Sequence, residues 1–279
     1  MILANKQTVK ILKEPALQSS LLVVGWSEDA GKLGGEVIDY LKRKLGAEEF
    51  AEIELECFFP LGGVGVEDDV AQYPESKFYC CSDKNLVLLG STPPRFDWYQ
   101  FLTSVLDVAQ NLCHVKEVYT IGGMISPGAH TTPRLIMPIV SSKEMKMSLN
   151  EFGVNVDMDY ETPPGQRPTL SSYLLWAAKG RGIPGASLWV PVPFYLVSSE
   201  DPRAWKRVIE FLDNRLGLGI DYGDLNNEIA EQNKKIAQLT GQVPELGSYI
   251  QKLETNLALS SEEGEKLAKE VEDFLKKRE

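Results

Sequence analysis

The side chains best placed to do chemistry gather in two short stretches, each following an apolar run. The first is Gly25-Trp26-Ser27-Glu28-Asp29-Ala30-Gly31. Glycines at a strand end permit close backbone approach, and the free amides of a following helix start can hold an anion. The second runs from Gly122-Gly123-Met124 through Ser126-Pro127-Gly128-Ala129-His130-Thr131-Thr132-Pro133-Arg134. It combines two glycines, an imidazole of the kind that ordinarily titrates near neutrality, hydroxyls and a guanidinium. Gly25, Asp29, Gly31, Gly122, Gly123, His130, Thr131 and Arg134 are therefore the candidate ligand-binding residues, for an anion or small molecule held between the two loops. The same residues also fit a plainer reading. Ser27 or Asp29 then caps a helix, and the second stretch is a polar loop or a subunit contact.

Other chemistries find little support. Gly62-Gly63-Val64-Gly65 lacks the Gly-Lys-Ser/Thr triplet of a phosphate loop, and Glu67-Asp68-Asp69 reads as a solvated turn in preference to a cation site. With His114 and His130 the only histidines, neither a histidine-rich metal centre nor a Ser-His-Asp triad is expected. Cys57, Cys80, Cys81 and Cys113 show no C-x-x-C spacing and read as buried free thiols. No catalytic residue, metal ligand or cofactor is assigned.

Positioning the two loops requires a sheet with helices. Ser20–Gly25 and Glu117–Gly122 are apolar runs ending in glycine, as buried parallel strands do. Ala51–Phe59 alternates Ile53, Leu55 and Cys57 against glutamates, and Lys77–Cys81 with Asn85–Gly90 forms two strands around a polar turn. Leu135–Val140 and Ala186–Val192 add two more strands. Helical spacing marks the segment after Asp29, then Asp97–Leu112, Lys143–Phe152, Leu170–Lys179 and Pro202–Leu216. This alternation predicts a three-layer α/β domain over residues 1–217 with a mostly parallel or mixed sheet. Residues 218–279 lose aromatics and strand signals. They read as a helical hairpin or coiled-coil-like appendage, punctuated at Pro244 and Gly247, whose apolar stripe packs on the domain or on a neighbouring subunit.

The chain has 279 residues, 43% hydrophobic and 25% charged, which suits a folded globular protein. Its 40 acidic against 29 basic residues give a net charge of -11, which disfavours nucleic acid and anionic lipid as partners. No apolar run is long enough to span a membrane, and Met1–Lys10 lacks the apolar core of a signal peptide, so a cytoplasmic protein is expected.

Five elements occur here in a recognisable order. Gly25–Gly31 resembles the Gly-Trp-x-Asp-Ala-Gly element of the proteasome assembly chaperone 2 family, and Trp98 with Phe101 its Trp-x-x-Phe helix start. Tyr119–Gly123 resembles its Leu-Gly-Gly strand end, His130–Arg134 its His-Thr-Arg-Pro loop, and Ser187–Tyr195 its Ser-Leu-Trp-x-x-x-Pro-His-Tyr element. The sequence departs from the family at Phe194, where a histidine is expected, and at Thr132, where an arginine is expected. The last residues, Asp273–Glu279, lack the hydrophobic–Tyr–any ending used for docking by proteasome activators. The resemblance implies a phosphorylase/hydrolase-like α/β fold and a homo-oligomer, with a trimer favoured. It also implies the work of a non-enzymatic assembly chaperone or scaffold, because eukaryotic members assist proteasome assembly. The alternative is an enzyme or small-ligand-binding protein with its pocket at the strand-end loops. The ATP-grasp carboxylate–amine ligase label carried by some relatives has no matching nucleotide loop in this sequence.

Overall fold

The computed structural model describes residues 8–54, 58–60, 65–67, 69–154, 159 and 161–276. Among the described residues ten strands form: β1 (Val9–Ile11), β2 (Ser20–Trp26), β3 (Glu48–Ile53), β4 (Gly65–Glu67), β5 (Val70–Gln72), β6 (Ser76–Cys81), β7 (Leu86–Ser91), β8 (Val115–Ser126), β9 (Met137–Val140) and β10 (Gly185–Pro193). Eight of them build one sheet in the order β1-β3-β6-β7-β2-β8-β10-β9, while β4 and β5 form a separate ribbon. The central block β7-β2-β8-β10 is parallel. The outer strands pair antiparallel, β6 with β7 across the three-residue Ser82–Lys84 turn, which is too short for a parallel crossover.

Helices α1 (Leu33–Leu45), α2 (Trp98–Asp107), α3 (Lys143–Asn150), α4 (Leu170–Gly180) and α5 (Pro202–Leu216) flank the sheet. Alternation along the strands splits the core in two. Val23, Leu88, Tyr119, Ile121, Leu188 and Val190 face α1 and α5. Leu22, Val24, Val87, Leu89 and Val118 face α2 and α4. Helix α5 starts at Pro202 as expected, because the Asp201 side chain accepts from the Ala204 amide and proline tolerates the first turn.

Helices α6 (Gly223–Gln242), α7 (Pro244–Glu254) and α8 (Ser261–Lys276) make up the tail. Pro244 opens α7, and Gly247 lies inside that helix instead of in the expected gap. Leu225, Ile236, Leu239, Leu246, Leu253, Leu267 and Val271 belong to the same buried cluster as α1 and α5, so the tail packs on its own chain. The narrow stripe read from the sequence is thus used internally. Strand β3 begins three residues earlier than expected, and the continuing alternation at Leu55 and Cys57 lies outside the described residues. Asp68 lies outside them as well. Cys80, Cys81 and Cys113 are buried free thiols, and burial pushes the Cys113 thiol up to about 12. Among the described residues no helix is long and apolar enough to cross a membrane.

The buried tail makes a direct prediction. Leu267 is fully buried, so Leu267→Ala should destabilise the protein by ~2–5 kcal/mol in denaturant melts. Removing residues 222–279 should strip the apolar surface of α1 and α5 and drive aggregation. A truncated chain with unchanged solubility and melting temperature would contradict this packing.

Candidate functional site

The carboxyl ends of parallel strands are where α/β sheets bind ligands. Here the chain's own backbone packs closely at that end. The turn after β2 runs through a 3₁₀ segment, Ala30–Lys32, in which Gly31 has φ 70° and Lys32 φ 52°. This turn presses the start of α1 against β2 and β8. A Cβ on Gly25 would lie 2.0 Å from the Gly34 carbonyl oxygen, and one on Gly123 would lie 2.0 Å from the Ala30 carbonyl oxygen. Both glycines are therefore required by backbone-on-backbone contact. Gly122 instead carries the ring of Trp189, which a Cβ would meet at 2.8 Å.

Asp29 joins these elements. Its Oδ2 accepts from the Gly34 amide at 3.1 Å and from the Gly123 amide at 2.8 Å. Its Oδ1 is buried without a hydrogen-bond partner among the described residues. Burial raises the Asp29 carboxyl to about 6, against the opposing effect of those amides. The carboxyl thus fills the position at the helix start that an external anion would take. Asp29 acts as the cap the plainer reading expected, though from five residues before Gly34.

His130, Thr131 and Arg134 form a second knot. The His130 amide donates to the Tyr195 hydroxyl at 2.5 Å, and that hydroxyl lies 2.9 Å from His130 Nδ1, where it can donate to a neutral ring. Burial, then the nearby Arg134 charge, lowers His130 to about 4. The Arg134 Nε donates to Asp201 Oδ2 at 2.9 Å, and its Nη1 donates to the carbonyls of Ala129 and Thr132. Thr131 Oγ1 donates to Glu254 Oε1 at 2.6 Å, tying the loop to α7. The two knots meet where the Gly31 amide donates to the Val197 carbonyl at 3.0 Å, just after Tyr195.

Phe194, standing in the family's histidine position, packs edge-on to Tyr195 at 5.3 Å and faces Gly264 of α8. An open cleft of about 380 Å3 beside this region is lined by Lys32, Glu200, Glu228, Glu231 and Lys235, and neither Asp29 nor His130 lines it. Residue spacing did not reveal Asp201 or Glu254 as partners of the loop. Asp201 carries a local cap signal before Pro202, but Glu254 lies 123 residues from Thr131 and nothing local marks it.

An eight-stranded mixed sheet between helical layers, its strand ends closed by the chain's own backbone, defines the class of this α/β protein. The model of the PAC2 family matches residues 22–240, and the chain belongs to that family. A Mycobacterium tuberculosis proteasome-assembly chaperone homologue superposes with a TM-score of 0.67 at 22% identity, covering 82% of this chain and 99% of that one. A second M. tuberculosis protein, described as of unknown function, gives 0.77 at 20% identity over 91% of this chain and 90% of that one. Pyrococcus furiosus PbaB, an archaeal proteasome activator, gives 0.67 at 21% identity over 83% and 98%. At these identities the likeness establishes the fold. No match was found among curated proteins.

The two buried titratable groups should pull stability in opposite directions. Asp29 holds its proton more tightly folded than the unfolded ~3.9, so its contribution falls as pH rises from about 4 through 6. His130 holds its proton less tightly folded than the unfolded ~6.5, so its contribution falls as pH drops from about 6.5 through 4. Each effect is on the order of 3 kcal/mol at full extent. Melting curves between pH 4 and 8 should show Asp29→Asn losing stability more steeply on acidification than the wild type. His130→Gln should shift the slope the other way. Superimposable pH profiles for all three proteins would refute these environments.

Proposed function

We propose that this chain is a non-enzymatic assembly chaperone or scaffold acting as a cytoplasmic homo-oligomer, with a trimer as the expected state. The observation that carries the reading is the closure of the strand-end loops. The Gly25 backbone meets Gly34 and the Gly123 backbone meets Ala30, Asp29 caps from within, and Arg134 is held by Asp201. Residues that would bind a substrate are spent on holding the loops. Family membership supports a chaperone-like role, since similar folds include a proteasome-assembly chaperone homologue and an archaeal proteasome activator.

Native mass spectrometry of the purified protein, with partners and small molecules retained, is the test. The expected result is an oligomer of the 31.1 kDa chain without a stoichiometric small molecule. His130→Ala should leave the assembly state and any retained-ligand profile unchanged. A bound metabolite lost in His130→Ala, with the fold intact, would favour an enzyme or ligand-binding protein in place of a scaffold.

A further inference from the structure

The family match ends at residue 240, inside α6, so helices α7 and α8 lie beyond it. These two helices pack on the elements that carry the family resemblance. Glu254, the last residue of α7, accepts from the Thr131 hydroxyl at 2.6 Å, within the 130–134 loop. Helix α8 lies against the 3₁₀ turn Phe194–Leu196, where a Cβ on Gly264 would stand 3.8 Å from the Phe194 ring. Thr131 and Phe194 belong to one face, because the Tyr195 hydroxyl bonds His130 between them. The α7–α8 hairpin covers that face.

Its construction is that of a separable piece. The chain leaves helical geometry at Val243, with φ -127° and ψ 83°, and Pro244 brings no amide hydrogen to continue the α6 ladder into α7. Just before this break, Gly241 faces open space. The ion pairs Lys252–Glu263 and Lys266–Glu245 join α7 to α8, so they tie the hairpin to itself. Toward the body it turns Leu246, Leu253, Leu267 and Val271. Strand β10 ends at Pro193, well before the hairpin, so moving the hairpin breaks no strand pairing among the described residues. The cleft lined by Lys32, Glu228 and Lys235 also reaches Leu275 and Lys276, which leaves the seam open beside the end of α8.

We propose that the α7–α8 hairpin is an autoinhibitory cover that swings as one body about Val243–Pro244 and uncovers the face carrying Thr131 and Phe194. The closed form is held by apolar contact, while the Thr131–Glu254 bond is solvent-exposed and adds little. A terminal unit with a broken connection to its neighbour opens before the sheet does. Any molecule that binds the covered face must first wait for the hairpin to leave, so its affinity is reduced by the fraction of chains that are open. The cover concerns a single chain and stands apart from the oligomer reading above.

Native-state hydrogen exchange and oxidative footprinting of the full chain test this. In the wild type, the α7 and α8 amides should exchange as one group, about tenfold or more less protected than those of β2, β8 and α5. Leu267→Ala should lower hairpin protection by a further factor of about ten. In the same variant, labelling of Phe194 should rise several-fold while that of the fully buried Phe101 stays constant. Glu254→Ala removes the tie to Thr131 and should act in the same direction, more weakly, with an unaltered melting temperature. Hairpin amides as protected as the sheet, or a Leu267→Ala loss spread evenly over hairpin and sheet, would show that no separate unit opens. Unchanged Phe194 labelling would show that the hairpin uncovers nothing. Either result overturns the proposal.

Discussion

The turn from Asp29 to Gly34 lies so close to β2 and β8 that carbonyl oxygens occupy the space where side chains of Gly25 and Gly123 would stand. Helix starts at the carboxyl end of a parallel sheet attract anions because their first amides are unpaired. In this protein the Asp29 carboxyl takes that role from within, accepting from Gly34 and Gly123 together. Holding a carboxyl there costs free energy, which shows as its raised proton affinity. The arrangement makes a close junction between two strands and a helix.

The second knot extends that junction to the tail. Arg134 is buried, and a buried guanidinium is tolerable only when paired, so its pairing with Asp201 couples the 126–136 loop to the start of α5. Thr131 continues the coupling to α7 through Glu254. Phe194 adds an apolar contact to Gly264 of α8 where the family resemblance expects an imidazole. A polar ring under α8 would need a hydrogen-bond partner, whereas phenylalanine needs only contact area. Loop and tail therefore pack as one unit with the sheet.

Much of the framework was readable from residue order. The runs at Ser20 and Glu117, the polar turn after Cys81 and the helical spacing from Pro202 each carry a local signal, and each formed the expected element. The five ordered motifs point to the family without any geometry. Other features were not readable. Strand β1 spans three residues, too few for periodicity to register, and is held by pairing with β3. Gly247 looks like a break but sits within α7, because burial of Leu246, Tyr249 and Ile250 around it outweighs its poor helix propensity.

What the sequence determined by itself is the set of elements and the identity of the loop residues, since both follow from short-range spacing, capping and turn chemistry. What only the tertiary structure decided is the use of those residues. Gly123 meets Ala30 across 93 residues of chain, and Thr131 meets Glu254 across 123. Whether Asp29, His130 and Arg134 face a ligand or one another depends on how closely the 29–34 turn docks on the sheet. That distance is set by the packing of α1, α5 and the tail into one core, which no local pattern encodes.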